Sequence, residues 1–294
     1  MPKILEWTII YDKCEPREGP DMLIRSKNFN IKQIAESGQC FRMNPIGENR
    51  YVLIALGHCL LLEQKSEDLV ELSCDEREFE ELWRSYFDLD YDYQELIDCM
   101  EKGNDSFLKE AAAFGNGIRI LRQDFFETMI SFIISQNKNI PAIKSSIENI
   151  CKRYGEQRFC VETGITYHTF PTPEILATAC PEELRSFSVG YRDSYILSAA
   201  RAITEGQLKL EKIKTCGYEE AKKALLCIHG IGEKVANCIC LYGLHHIEVF
   251  PVDVWIKRIL SEVYRDQFCL NQFVGRMGIV QQYMFYYMRN RDKK

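Results

Sequence analysis

Residues 225–260, LLCIHGIGEKVANCICLYGLHHIEVFPVDVWIKRIL, decide how the rest of the chain is read. The apolar spacing gives the end of one helix, a tight hairpin at His229–Lys234, a second helix, a short loop and a third helix. Gly230 and Gly232 stand one residue apart, so the backbone there can take positive φ with no side chain in the way. The N–H groups that open the following helix are then free, and such a terminus binds a phosphate well. A GxG turn is also an ordinary connection between helices, so the hairpin alone is weak evidence for a grip on a DNA backbone.

Two side chains in this stretch carry chemistry. Lys234 lies in the first turn of the second helix, where the positive end of the helix dipole disfavours a cation. A neutral amine is a nucleophile that forms Schiff bases, whereas an arbitrary lysine is simply a solvated surface group. Asp253 follows Pro251 and precedes the apolar positions Ile256, Ile259, Leu260 and Val263. Helix capping explains this aspartate by itself. Capping also holds a carboxylate rigid and ionised, and an ionised carboxylate beside a sugar C1′ stabilises positive charge developing there.

The bulk properties set the frame. The 294 residues are 46% hydrophobic and 27% charged, a globular composition with room for one large or two to three small domains. The 13 cysteines are odd in number and irregular in spacing. They match neither a disulfide framework nor a structural zinc or iron–sulfur site, so reduced thiols are expected. No segment reads as a secretory signal or a membrane span, so a soluble intracellular protein is expected. The net charge of −6 argues against nucleic acid until it is divided. Residues 1–115 carry 13 Lys and Arg against 24 Asp and Glu, leaving 24 against 19 in the remainder. A basic half beside an acidic one hints at a polyanion partner, although a solvated acidic face explains it as well.

The pattern along the chain is α+β: an N-terminal antiparallel-sheet domain with helices (1–115), then a mainly helical region (116–294). Residues 3–12 and 51–63 are rich in β-branched and aromatic residues and read as strands. A short helix is expected at Ile31–Glu36, and the acidic segments 73–89 and 92–105 turn helical. After Gly115, two helices joined at SQNKN cover 125–151, with further helices at 181–187, 194–206, 218–228 and about 271–289.

Taken together, these pieces resemble the helix–hairpin–helix DNA glycosylases, and within them the eukaryotic-type 8-oxoguanine DNA glycosylase/lyases. The hairpin with its lysine, and the aspartate 19 residues on in PVDV, carry the resemblance. SGQCFR (37–42), SQNKNI (135–140), VGYRDSYILSAARAI (189–203) and KVANCICL (234–241) extend it over most of the chain. The resemblance implies a TBP-like N-terminal sheet and a helical catalytic region of two subdomains with a cleft near Lys234 and Asp253.

It also implies roles. Lys234 would attack C1′ of a flipped nucleotide and hold the sugar as an imine, and Asp253 would stabilise the cationic sugar. In the base pocket, the Gly38 carbonyl would accept the N7–H of 8-oxoguanine and Cys238 would pack on one ring face. Gln282 would bond the Watson–Crick edge, and Tyr286 would stack on the other face. Asn137, Tyr191 and Arg192 would fill the emptied duplex and contact the partner cytosine. Gly230 and Gly232 would hold the backbone, and Trp255 would stand near the lesion's 5′ phosphate, where the family commonly has histidine. Without the family, a cap, a core residue or a surface residue explains each of these positions. Ala142 stands where the family has a second cytosine-reading arginine, so a relaxed preference for the opposite base is expected. His229 replaces the usual proline before the first hairpin glycine.

The activity implied is removal of 8-oxoguanine from double-stranded DNA with strand nicking, by a monomer that needs no cofactor or metal. A cation at the hairpin–phosphate contact is compatible with this. The compartment would be cytoplasmic and nucleoid-associated in a prokaryote, or nuclear in a eukaryote. Two other readings remain open at this point. One is a monofunctional glycosylase for alkylated bases, which needs no lysine. The other is a non-catalytic helix–hairpin–helix DNA-binding module.

Overall fold

The computed structural model describes residues 21–269 and 271–291, so the strand expected over 3–12 lies outside the described residues. Five strands, β1 (Met22–Arg25), β2 (Met43–Gly47), β3 (Arg50–Ala55), β4 (His58–Gln64) and β5 (Leu69–Leu72), form one antiparallel sheet in the order β1-β5-β4-β3-β2. The run 51–63, expected as one strand, is a hairpin. Leu56 and Gly57 take φ of 54° and 82° and reverse the chain, leaving Ala55 opposite His58. Two residues of positive φ match the right-handed twist of the flanking strands, which is why so short a loop suffices. The expected helix at Ile31–Glu36 is present, with Asn30 accepting from the Gln33 N–H as its cap. It packs with the sheet around Leu53, Leu60, Leu62 and Trp83.

The two cores divide earlier than residue 115. Leu89 packs on the sheet core, but Tyr91 already packs on the helical one. The Gln94–Lys102 and Ser106–Gly115 helices turn Leu96, Ile97, Met100, Leu108, Ala111 and Ala112 into that second core. Ser106–Gly115 lies along the C-terminal helix, Met277–Asn290. The helical region has one continuous apolar core among the described residues. The Phe125–Ser135 helix packs directly on Glu233–Gly243, and Phe132 stacks on Tyr242 with ring centroids 5.3 Å apart.

An extended strap, residues 117–123, stitches the sheet domain to the helical core. Gly117 lies so close to Asn30 that a Cβ there would sit 2.3 Å from the Asn30 Cβ, so only glycine fits. Further along, the Leu121 N–H donates to the Gln39 Oε1 at 2.8 Å, and the Gln123 N–H donates to the Tyr242 carbonyl at 3.3 Å. Between them, Arg119 is buried and stacks on Tyr93 at 4.4 Å. Its guanidinium donates to the Asp88 and Tyr91 carbonyls at 2.8 and 2.7 Å. Burial pushes its pKa down, but the bonded carbonyls satisfy the cation where it sits.

Arg119 therefore supplies side-chain donors to several buried backbone carbonyls at once. Arg119→Met removes these charge-assisted bonds from buried carbonyls and costs on the order of 3 kcal/mol. At roughly 2–4 °C per kcal/mol, the melting temperature falls by about 6–12 °C. Arg119→Lys, a point charge without the planar fork, recovers only part of this. A thermal melt in which the Met variant equals the parent would contradict the strap's structural role.

Candidate active site

The hairpin forms as the sequence indicates, but its two glycines do different work. Gly230 has φ of +91°, and a Cβ there would sit 2.1 Å from the Tyr195 ring. Positive φ and lack of room both demand glycine. Gly232 is extended, with φ −96° and ψ 177°, and open space where its Cβ would be. It caps the Glu233–Gly243 helix without any side-chain acceptor, so the first-turn N–H groups face outward. His229 is exposed and sets its ring edge-on to Tyr195 at 4.8 Å, closing the turn without a proline.

Lys234 and Cys238 lie four residues apart on one face of this lysine helix. The lysine Nζ stands 5.4 Å from the centre of the Phe132 ring. Cys238 is buried, and burial pushes its thiol up against the opposing pull of the Lys234 charge. The Asp253 charge reaches the same thiol.

Asp253 caps the Val254–Glu262 helix by accepting from the Ile256 N–H at 2.8 Å. Burial raises its carboxyl above the ordinary range, opposed by the Ile256 N–H and then by the Lys234 charge. The site thus holds a half-buried carboxylate and an amine within electrostatic reach of each other, over an aromatic floor. That pairing can deliver a nucleophile and balance positive charge at one carbon.

The pocket wall differs by one register step from the expectation. Gly38, with φ +80°, faces Phe285: a Cβ there would lie 3.3 Å from the Phe285 Cε1 and 3.5 Å from the Ile140 Cδ1. Tyr286, expected to stack on the base, packs instead against Phe114 at 5.4 Å and beside Gly115. Gln282 is committed as well: its Nε2 donates to the Ser37 carbonyl at 2.7 Å, and its Oε1 accepts from the Tyr242 hydroxyl. Gln281 is buried, yet its Oε1 has no hydrogen-bond partner. It lies one turn before Phe285, on the same face of the C-terminal helix. Phe285, not Tyr286, is therefore the aromatic beside Gly38, and Gln281, not Gln282, is the glutamine left with an unpartnered amide oxygen on the Phe285 face of the helix. Adjacent glutamines and adjacent aromatics made the two registers equivalent in sequence, and only packing separates them.

The residues expected to contact DNA differ in how they are placed. Asn137 is exposed at φ +48°, at the tip of the junction between the Phe125–Ser135 and Ile140–Tyr154 helices. Its neighbour Gln136 donates to the Gly230 carbonyl at 3.1 Å, tying this tip to the hairpin. Tyr191 is 54% exposed, as a residue entering a duplex would be. Arg192 is not exposed: it is turned inward, 4.6 Å over the Tyr191 ring, donating to the Gln136 and Val189 carbonyls. Its Nε is buried and has no hydrogen-bond partner. Ala142 sits in the first turn of its helix, its N–H bound by Asn139 at 2.9 Å. Trp255 is half-buried against the helical core, while Val254 beside it is 80% exposed. Phe132, Tyr242, Gln281 and Phe285 carried no sequence signal beyond their apolar or helical context.

Residues 22–129 match the family described as 8-oxoguanine DNA glycosylase, N-terminal domain, and residues 130–267 match the HhH-GPD superfamily of base excision DNA repair proteins. A Saccharomyces cerevisiae N-glycosylase/DNA lyase is 37% identical over 191 residues, which span 61% of this chain and 50% of the yeast protein. A probable N-glycosylase/DNA lyase of Methanothermobacter thermautotrophicus is 32% identical over 232 residues, 69% of this chain and 72% of that one. Among solved structures, the fold superposes on the Clostridium acetobutylicum 8-oxoguanine glycosylase/lyase in complex with double-stranded DNA containing cytosine opposite the lesion. The TM-score is 0.85 at 34% identity, covering 96% of this chain and 99% of that one. The alkylated-base glycosylase of Archaeoglobus fulgidus shares the fold at only 22% identity. With its hairpin, lysine and aspartate in this scaffold, the chain belongs to the 8-oxoguanine DNA glycosylase/lyase family of HhH-GPD base excision repair proteins.

Proposed function

We propose that this protein excises 8-oxoguanine from double-stranded DNA through a Schiff base on Lys234 and then nicks the strand by β-elimination. The observation that carries this reading is the lysine–aspartate pair over the Phe132 floor, in a chain of this family. The hairpin N–H groups beyond Gly232 grip a backbone phosphate, and the lesion nucleotide flips toward Lys234. Asp253, ionised at its helix cap, stabilises the positive charge that builds on the sugar as the base leaves. The Lys234 amine bonds to C1′, and the resulting imine acidifies C2′. Loss of a C2′ proton then expels the 3′ phosphate.

The wall around Gly38, with Phe285 and Gln281, recognises the base. The unpartnered Gln281 Oε1 is the group suited to its polar edge. Asn137 and Tyr191 fill the gap left in the duplex, and Arg192 reads the opposite cytosine. The amine is itself the nucleophile, so the chemistry calls for no cofactor or metal. One chain holds every residue named, so a monomer suffices.

The test is an excision assay on a duplex with one 8-oxoguanine. The parent releases the base and nicks 3′ to the lesion, whereas Lys234→Gln does neither. Base release with no nicking would favour a monofunctional glycosylase instead. Asp253→Asn keeps a capping acceptor, so its melting temperature stays near the parent's while base release slows on the order of 10²-fold. Asp253→Ala slows release similarly and also loses about 1 kcal/mol of stability with the cap. Equal rates for the Asn variant and the parent would remove Asp253 from the chemistry.

Asp253 must be ionised to act, and its carboxyl is raised above the ordinary range by burial. Base release therefore falls on acidification at a higher pH than the value of about 3.9 for an unperturbed aspartate. An acid limb at or below that value contradicts this assignment. Loss of the arginine at position 142 removes about 1–3 kcal/mol of base discrimination. Excision rates across the four opposite bases should accordingly be flat relative to an arginine-bearing relative, and a steep cytosine preference would refute that.

A further inference from the structure

Gly38 is flanked by two hydrogen-bonded ties, and both end on one residue of the lysine helix. On one side, the Tyr242 hydroxyl donates to the Gln282 Oε1, and the Gln282 Nε2 donates to the Ser37 carbonyl at 2.7 Å. On the other side, the Tyr242 carbonyl accepts from the Gln123 N–H at 3.3 Å, and the Gln123 Nε2 donates to the Gln39 carbonyl at 2.9 Å. Tyr242, Gln282 and Ser37 are all buried, so the bonds of the first tie face no competition from water, while Gln123 in the second is half-buried. The Tyr242 ring also stacks on Phe132 at 5.3 Å and 10°, and Phe132 is the ring under the Lys234 Nζ.

We propose that Tyr242, acting through Gln282, is a positioning residue that fixes the Ser37–Gln39 wall relative to Lys234. The proposal rests on the excision chemistry given above. The wall belongs to the sheet domain and the lysine to the helical region, so nothing covalent and local sets their separation. Misplacement of a reacting group by about 1 Å is enough to cost about 10²-fold in rate. The hydroxyl route acts on the Ser37 side of Gly38 and the carbonyl route on the Gln39 side. With both in place, the turn cannot pivot about either end. Burial pushes the Tyr242 hydroxyl well above its ordinary pKa, so the strut stays a donor throughout the working pH range.

Tyr242→Phe keeps the ring, its volume and its stack, and deletes only the hydroxyl. The decisive readout is a ratio of two single-turnover rates. One is release of 8-oxoguanine, which needs the wall. The other is cleavage of a preformed abasic site, which needs Lys234 and Asp253 but has no base to recognise. The expected result is a fall of about tenfold in that ratio, equivalent to one lost buried hydrogen bond in the transition state.

Gln282→Leu, which cuts the same tie from the other end, should lower the ratio similarly. The double variant should be no worse than either single one, because the two groups form one chain. A residue that merely supports the fold lowers both rates in proportion. An unmoved ratio in both single variants, or strict additivity in the double one, overturns the strut. If the parent itself neither releases 8-oxoguanine nor cleaves the abasic site, the excision reading fails instead, and the two failures are distinguishable.

Discussion

The extended strap at residues 117–123 brings the active site into being. Its backbone donates to Gln39 on the sheet side and to Tyr242 on the helical side. Because it has no regular secondary structure, its polar groups must find partners one by one, and they do so on both domains. Gly117 lets the strap lie against Asn30, and Arg119 collects carbonyls from the turn after the sheet. The result is a wall residue from one core facing a lysine from another. Neither core could set that distance alone.

At the site itself, opposing forces are balanced in different ways for two helix starts. The lysine helix begins at a bare glycine, which leaves its N–H groups for an external anion. The aspartate helix begins with its own carboxylate bound to the Ile256 N–H, so its cap is internal. Burial works against the Asp253 charge, while the cap and the nearby Lys234 charge work for it. The carboxylate is therefore rigid but not comfortably solvated, a state in which charge arising on a neighbouring sugar is stabilised without solvent reorganisation.

What could be read from the sequence follows from what is local. The hairpin, Lys234 in its first turn and the Asp253 cap are short-range features, and their residue types state them directly. The α+β order and most helices were legible from periodicity. Three things were not. The hairpin at Leu56–Gly57 hid inside an apolar run because a leucine occupies a positive-φ position that usually calls for glycine or asparagine. The pocket register was ambiguous because QQ and FY each offer two choices at the same spacing, and only the bonds from Gln282 to Ser37 and Tyr242 decide it. Arg192, expected to contact DNA, is turned inward onto the Val189 carbonyl three residues before it and onto the Gln136 carbonyl of the asparagine junction, the latter a long-range contact with no local signature.

The central claim is that one amine, Lys234, forms the covalent bond to the sugar. Its most direct test is to add borohydride during the reaction with an 8-oxoguanine duplex and to map the reduced adduct by peptide mass. The account requires a trapped protein–DNA species whose modified residue is Lys234, within the Glu233–Gly243 helix. An adduct on any other lysine, or excision that proceeds with nothing trapped, would contradict it.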